Sequence, residues 1–419
     1  MTDLLTIVTV LLAASLIVTL VLQRIGAPTL IGYILVGLLI GPTGIGLLEA
    51  SPQLELLAEI GIVFLMFNVG LEFSLPVLLA SRRAVLGLGG LQVLCTSVIV
   101  AGLALAAGVS FLAAVLLGGA VAMSSTAITI RQLTDQGELD TRHGRASVGT
   151  LLFQDLATLP FLVLVTALGV VGSSHDAGAD IATYGLSTPA QSMTDIDAGV
   201  WSELGARLGI AVLAFGAALV IGRRLLLRIV SLVHRTGSRE LFMLAMLTIV
   251  IGAAWAAHEI GLSPPLGAFL AGMILGETRF KDDAETDIAP FRAVLLGLFF
   301  VSVGLRVDLS VIVPNAGLVA GFVTALIVGK GLIVFALARL LREPTEVAAR
   351  TGAILAHGGE FGLLILTLAL SQNVISEKIG QPLLGAIVIS MIFAAFLIKA
   401  NGRLSGSANH GQPLSKDCS

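Results

Sequence analysis

Charged residues and cysteines are both scarce in this sequence. Of its 419 residues, 12% are Asp, Glu, Lys or Arg, which is about half the share of a typical soluble domain. The two cysteines, Cys95 and Cys418, provide neither a disulfide framework nor the spacing of a metal site. The net charge of -3, without a basic arm, argues against nucleic acid as a partner. Because 56% of the residues are hydrophobic, we predict an all-α polytopic membrane protein in the lipid bilayer.

Apolar segments long enough to cross a bilayer recur along the whole chain. About 20 apolar residues span the hydrocarbon core as a helix. Thirteen transmembrane helices are predicted, at 3–23, 29–41, 53–73, 84–107, 110–131, 146–171, 203–230, 239–260, 264–277, 290–307, 315–341, 347–371 and 380–401. The string GLGGLQ (87–92) lies inside one of them with no preceding strand, so it is not a nucleotide-binding loop. We expect no cofactor and no enzymatic activity.

The distribution of basic residues gives the orientation. Most of the 24 Lys and Arg fall on one side of the thirteen-helix arrangement. The positive-inside rule then places the N-terminus outside and the C-terminus in the cytoplasm, with the chain in the inner membrane. The acidic connection 173–200 is predicted to be a flexible outer linker, with a cation-attracting vestibule as the alternative. Residues 403–419 form a polar cytoplasmic tail.

The second half of the chain repeats the first. The segment TLIGYILVGLLIG, which ends at Gly41, matches LSPPLGAFLAGMILG, which ends at Gly276, at an offset of 235. FNVGLEFSL (67–75) likewise matches FVSVGLRVDLS (300–310). An odd number of crossings separates the matched helices, so the repeats are predicted to be inverted, as in secondary transporters. The transmembrane domain, 1–402, divides into repeat 1 (about 1–171), the linker 173–200 with helix 203–230, and repeat 2 (about 239–401).

Each half contains one apolar helix that polar or glycine residues interrupt. The strings are AVAMSSTAITI (120–130) and AILAHGGEFGLLI (353–365), which correspond under the same offset. Their breaks hold Ser124, Ser125 and Thr126 in the first helix and His357, Gly358, Gly359 and Glu360 in the second. Broken helices at corresponding positions are predicted to cross at a transport site, and a tight contact of small residues is the alternative.

A lone carboxylate lies in the apolar string LLFQDLATLP (151–160). Placing Asp155 at mid-membrane costs about 2.5–3.5 kcal/mol, so it is predicted to mark a functional site, and a carboxylate that is paired for structural reasons alone is the alternative. A bound proton or a bound monovalent cation would each neutralise it, and one carboxylate cannot hold both. Such competition, with alternating access, is sufficient for antiport. The further ligands predicted for the cation are Gln154, Ser124, Ser125 and Thr126.

Other polar residues within the apolar segments receive supporting roles. Lys330 is predicted to be the counter-ion of Asp155, and snorkelling to the interface is the alternative. His357 and Glu360 either form a gate or proton path or tie the broken helix together. Gln92 is expected to link helices through a hydrogen bond.

Several strings covering nearly the whole membrane region carry a family resemblance. They are SSTAI (124–128), LLFQDLATLP (151–160), LGAFLAGMILGE (266–277), DIAPFRAVLLGLFFVSVGLRVDL (287–309) and GGEFG (358–362), together with the lysine at 330. With these strings the chain resembles the Kef-type potassium/proton antiporters of the second cation:proton antiporter family. The resemblance implies a sodium/proton antiporter-like fold and a homodimer. It also implies an ion-carrying core, formed by the fourth to sixth and eleventh to thirteenth helices, that moves in an elevator-like step.

The same resemblance implies roles for individual residues. Asp155 would be the cation and proton carboxylate, Gln154 its neighbour and Lys330 the core lysine. Asp282, Asp283, Glu285 and Asp287 match the regulatory loop of Kef proteins. Kef proteins also carry a cytosolic nucleotide-binding domain after the last helix, which this sequence does not reach. Control by glutathione or nicotinamide nucleotide is therefore not implied, and a separate cytosolic regulatory subunit is an alternative partner.

These observations together predict a secondary transporter that exchanges K⁺, or alternatively Na⁺, for protons. A single carboxylate favours the exchange of one cation for one proton. The rival prediction is a gated K⁺ efflux channel, which would conduct cations without moving protons. A symporter of organic anions is disfavoured, because the core offers one acid and no cluster of anion-binding residues.

Overall fold

The computed structural model describes residues 4–24, 29–48, 52–72, 83–173, 222–259 and 264–406, and their regular structure is entirely helical. The first helices are α1 Leu4–Arg24, α2 Thr29–Ile40, α3 Pro52–Glu72, α4 (a π-helical start Arg83–Gly89 that continues as Gly90–Ala106), α5 Phe111–Ala122, α6 Thr126–Asp135 and α7 Arg142–Ser173. The later ones are α8 222–234, α9 Arg239–Glu259, α10 Pro264–Gly276, α11 Lys281–Leu305, α12 Leu309–Ile312, α13 (Ala316–Thr324, the π-helical Ala325–Gly329 and Lys330–Leu340), α14 Thr345–Leu355, α15 Glu360–Ser371 and α16 Glu377–Gly406.

The helices identify a multi-pass membrane protein. Among the described residues, six helices are long and apolar enough to span a bilayer, and eight if each of two bent helix pairs counts as one span. Four shorter apolar helices accompany them. The predicted total of thirteen spans stays a prediction, and most of the predicted helix 203–230 lies outside the described residues, as does 174–200 of the predicted linker.

One predicted boundary is wrong, and a second helix is longer than predicted. Helix α11 begins at Lys281 and not at 290, so most of the acidic segment predicted as a loop is helical. Asp282 and Asp283 lie in the first turn of α11, where negative charge interacts favourably with the helix dipole. Helix α16 continues to Gly406, beyond the point at which the polar tail was predicted to begin.

The chain forms two compact units. The first comprises the described residues of Met1–Glu49, Leu78–Thr158 and Val303–Ser419, and the second those of Ala50–Val77 and Leu159–Ser302. The core of the second unit is apolar and includes Phe67, Leu71, Met246, Val250 and Leu275. The first unit contains both broken helices and every predicted ion-site residue.

Within each unit, glycines allow the backbones of neighbouring helices to contact each other directly. A Cβ added to Gly70 of α3 would lie 3.0 Å from the Cα of Gly272 on α10. A Cβ added to Gly304 of α11 would likewise lie 3.0 Å from the Cα of Gly37 on α2. Gly304 follows Gly70 by 234 residues and Gly272 follows Gly37 by 235. Residues matched by the sequence repeat therefore make matching contacts, one pair in each unit.

Candidate functional site

The first break separates α5 from α6. Met123 is extended (φ -74°, ψ 138°), which stops α5 at Ala122. Ser125 then caps α6, because its hydroxyl oxygen accepts a hydrogen bond from the main-chain nitrogen of Ile128 at 3.3 Å. Ser125, one of the two serines predicted at this break, thus has a local role in starting α6.

The second break separates α14 from α15, and these helices are bent by 41°. Gly359 precedes Glu360, the first residue of α15. A Cβ at Gly359 would lie 2.7 Å from the main-chain nitrogen of Ser125, so the two breaks can touch only because this residue is glycine. The neighbouring Gly358 donates its N–H to the hydroxyl of Ser390 at 3.0 Å.

Side chains join the two breaks directly. Ser124 Oγ donates to the main-chain oxygen of Leu355 at 3.0 Å. Nδ1 of the buried His357 lies 2.7 Å from the Gly358 oxygen and 3.4 Å from the main-chain nitrogen of Ser125, and its Nε2 lies 3.3 Å from the hydroxyl of Thr129. These contacts hold the imidazole between the two breaks, and both predicted roles of His357 stay predictions.

Lys330 places its amino group at the breaks and is only 1% exposed. Its Nζ donates to the main-chain oxygens of Met123 at 2.7 Å and His357 at 3.0 Å. These carbonyls lie just past the C-terminal ends of α5 and α14, where the helix dipoles favour a cation. The counter-ion role toward Asp155 stays a prediction alongside these observed bonds.

The carboxylate of Asp155 lies at the start of α6. Thr126, the first residue of that helix, donates its hydroxyl to Asp155 Oδ1 at 3.1 Å. Asp155 itself is half-buried on α7. A carboxylate in this place interacts favourably with the positive end of the α6 dipole and keeps part of its surface open.

A second carboxylate reaches the same helix end. Glu360 is 6% exposed, and its Oε1 accepts from the main-chain nitrogen of Ala127 at 3.4 Å. The site thus places a lysine at two helix C-termini and two carboxylates at a helix N-terminus. Within the described part of the chain, no group of three or more His, Cys, Asp or Glu could hold a metal ion. A cation at Asp155 would therefore need hydroxyl, main-chain or water oxygens as well.

Gln154 was predicted to be a cation ligand, but both ends of its amide bind within the protein. Its Oε1 accepts from the main-chain nitrogen of Ser124 at 2.7 Å. Its Nε2 donates to Oε1 of Gln92, also at 2.7 Å. The sequence indicated that Gln92 links helices, but it gave no sign that Gln92 belongs to the site.

A second polar cluster, which the sequence did not reveal, surrounds Arg350 on α14. Arg350 is 2% exposed and donates to Glu138 Oε2 at 2.7 Å and to the Ile398 oxygen at 2.9 Å. His143 lies 3.0 Å from the same Glu138 oxygen. Burial alone would raise the pKa of Glu138, but the hydrogen bonds and charges of Arg350 and His143 outweigh it and hold that pKa below its ordinary value.

The acidic residues at the start of α11 are not equivalent. Asp287 is 7% exposed and accepts from Arg239 Nε at 2.9 Å. Asp282 and Asp283 are exposed. Asp287 therefore helps to join α11 to α9 within the second unit, whereas a regulatory role for the segment stays a prediction.

The fold and the site define a class of protein. A multi-pass membrane chain in which two broken helices meet around buried charges is typical of secondary transporters. The transmembrane model of the sodium/hydrogen exchangers matches residues 10–400. The chain belongs to this sodium/hydrogen exchanger family, and the relatives described next are transporters.

Two relatives are potassium antiporters by name. The putative K(+) efflux antiporter KefB of Alkalimonas amylolytica is 40% identical over 385 residues, which cover 91% of this chain and 54% of that protein. The chloroplastic K(+) efflux antiporter 1 of Arabidopsis thaliana is 36% identical over 400 residues, which cover 95% of this chain and 32% of that protein. The chain thus spans about half the length of the first and about a third of the second. The predicted resemblance to Kef-type antiporters is confirmed.

A solved structure shares the fold. The sodium proton antiporter MjNhaP1 from Methanocaldococcus jannaschii matches with a TM-score of 0.56 and 15% identity, over 95% of each chain. At this identity the similarity establishes the fold alone. The predicted all-α, sodium/proton antiporter-like fold is confirmed at that level.

Proposed function

We propose that this chain exchanges a monovalent cation for protons across the cytoplasmic membrane, with Asp155 as the shared binding group. The observation that carries the proposal is the 3.1 Å hydrogen bond from Thr126 to Asp155, which places the carboxylate at the end of a half-helix in the broken-helix site. A proton or a cation can neutralise this carboxylate, and each excludes the other. Oxygens of Ser124, Ser125 and Thr126 are the proposed additional ligands, with Gln154 as a supporting group.

An inverted repeat and elevator-like alternating access complete the proposed mechanism. Matching glycine contacts support the repeat. Gly118 contacts Ser97 on α4, and Gly352 contacts Gly331 on α13. Each residue of the second contact follows its counterpart in the first by 234 residues. Thirteen spans, an outside N-terminus, a cytoplasmic C-terminus and a homodimer are part of the same proposal.

Potassium is the proposed cation and sodium the alternative. The names of the Kef-type relatives support potassium, whereas the fold is shared with a sodium proton antiporter. Which cation binds more tightly depends on cavity geometry and on the field strength of the ligands. Transport must therefore be measured with each cation.

The test is cation-driven proton flux in proteoliposomes under potassium, sodium, lithium and rubidium gradients. Asp155→Asn should abolish the flux, because an amide can neither release a proton nor bind a cation by charge. Asp135→Asn is the matched control, since Asp135 is an exposed residue at the end of α6. Proton flux retained in Asp155→Asn would overturn the assignment. Cation flux without proton movement in the unmodified protein would instead identify a gated channel.

A further inference from the structure

A pair of buried glutamines spans the first break. Gln92 on α4 and Gln154 on α7 are both 0% exposed. Gln92 Nε2 donates to the main-chain oxygen of Ala122 at 3.1 Å and to the hydroxyl of Thr96 at 3.2 Å. Gln92 Oε1 accepts from Gln154 Nε2, and Gln154 Oε1 accepts from the nitrogen of Ser124. The chain of hydrogen bonds thus runs from the last residue of α5 to the middle of the break.

The backbone at each end of this chain fixes how both amides are oriented. The carbonyl of Ala122 can only accept, so Gln92 must present its NH₂ group there and its oxygen to Gln154. The N–H of Ser124 can only donate, so Gln154 must present its oxygen there and its NH₂ group to Gln92. Flipping either amide would bring two donors or two acceptors face to face. The two side chains therefore have one mutually consistent arrangement.

The glutamine pair replaces hydrogen bonds that the helix loses where it breaks. Buried main-chain groups need partners, and leaving one unpaired is unfavourable. Without Gln92, the hydrogen bond left to Gln154 Nε2 is the long one, of 3.5 Å, to Ser124 Oγ, so the Gln154 amide is held less firmly. Because Ser124 is two residues before Thr126, a shift of the break moves the hydroxyl that binds Asp155.

We propose that Gln92 is a positioning residue of the ion site. It orients the Gln154 amide and so holds the first break in the conformation in which Thr126 reaches Asp155. The inference rests on the proposed exchange at Asp155. It concerns a different residue, Gln92, whose hydrogen bonds go to Thr96, Ala122 and Gln154.

The test compares Gln92→Met with Ser97→Ala. Methionine keeps the length of glutamine without its polar atoms. Ser97 lies on the same helix, and its buried hydroxyl has no hydrogen-bond partner within the described residues, so its loss leaves the break intact. Gln92→Met should raise the KM for the cation about tenfold, as removal of an outer-shell partner typically does, with a smaller change in kcat. Ser97→Ala should match the unmodified protein.

The double variant Gln92→Met/Gln154→Met distinguishes a positioning role of Gln92 from an independent disruption of the structure. If Gln92 acts through Gln154, the double variant has about the same KM as Gln154→Met alone. KM increases that multiply in the double variant, or an unchanged KM in Gln92→Met, would overturn the proposal. Gln92→Leu, which also removes both polar atoms, serves as a second variant if the methionine variant does not fold, with the same expected rise in KM.

Amide hydrogen exchange gives a readout that does not depend on transport. The peptide covering residues 122–126 should exchange faster in Gln92→Met than in Ser97→Ala, because the Ser124 N–H loses its fixed acceptor. Equal exchange would contradict the proposal even in an active transporter. If the unmodified protein moves no protons, the proposed function fails, and hydrogen exchange still decides whether Gln92 fixes the break.

Discussion

Lys330 donates a hydrogen bond of 2.7 Å from Nζ to the main-chain oxygen of Met123, in the first break of the chain. A second bond, of 3.0 Å, reaches the oxygen of His357 in the other break. His357 follows Met123 by 234 residues, so one ammonium group binds carbonyls at corresponding positions of the two halves. Lys330 therefore links the two breaks through hydrogen bonds that do not involve Asp155.

Replacing this lysine should destabilise the protein. In Lys330→Met two buried carbonyls lose their donor, at a cost of about 1–3 kcal/mol each, so the unfolding temperature in detergent should fall. In a double-mutant cycle with Asp155→Asn, the losses of stability should add within about 0.5 kcal/mol. A larger coupling energy would contradict this expectation and favour the counter-ion role.

Gly359→Ala should abolish most transport. The added methyl group would lie 2.7 Å from the Ser125 nitrogen, so the breaks would have to separate. A displacement of about 1 Å at a site can reduce the rate about 100-fold, and initial rates of proton flux measure the loss. Gly321→Ala is the matched control, because its Cβ would have no neighbour within 4 Å. An active Gly359→Ala variant would show that the contact between the breaks is dispensable.

Glu138 should stabilise the protein in a pH-dependent manner. Its pKa is held below the ordinary value of 4.5, so the stabilisation is complete above that pH and disappears as acid protonates the folded carboxylate. Glu138→Gln should therefore lower the unfolding temperature at neutral pH, by the equivalent of about 2 kcal/mol, and have little effect in acid. Glu346→Gln, at an exposed site on α14, should show neither effect. If Glu138→Gln lowered the unfolding temperature equally at every pH, the stabilisation could not be assigned to the charge of Glu138.

Gly70 and Gly304, which the sequence repeat matches, should be equally sensitive to replacement by alanine. Gly70→Ala and Gly304→Ala each place a methyl group 3.0 Å from the Cα of a facing glycine. Thermal unfolding should report a loss of about 1–3 kcal/mol for each. Gly252→Ala has open space around its Cβ and should be neutral or slightly stabilising. If only one of the two variants is destabilised, the contacts are not equivalent.

The helices and their breaks could be predicted because each depends on local sequence. Long apolar runs require helices in a membrane, and SSTA and HGGE interrupt such runs with residues that favour caps and turns. The start of α11 was missed for a local reason too. Its charged residues suggested a loop, although acidic residues are favourable in a first helical turn.

The hydrogen-bond partners within the site could not be predicted, because they depend on helices that are distant in sequence. Gln92 and Gln154 are 62 residues apart, and Arg350 and Glu138 are 212 apart. A polar residue in an apolar run indicates that a partner exists without indicating which one. For the same reason Lys330 was predicted to pair with the buried carboxylate of Asp155, whereas its observed bonds go to main-chain oxygens that carry no sequence signal.

The single lysine also shows how the two halves of the site differ. Under the offset of 234, the position that corresponds to Lys330 is occupied by Thr96, which accepts a hydrogen bond from Gln92. One half thus contributes the cationic anchor for both breaks, and the other contributes the amide pair and Asp155. The two halves therefore supply different groups to the site, so a second copy of one half would not provide what the other contributes.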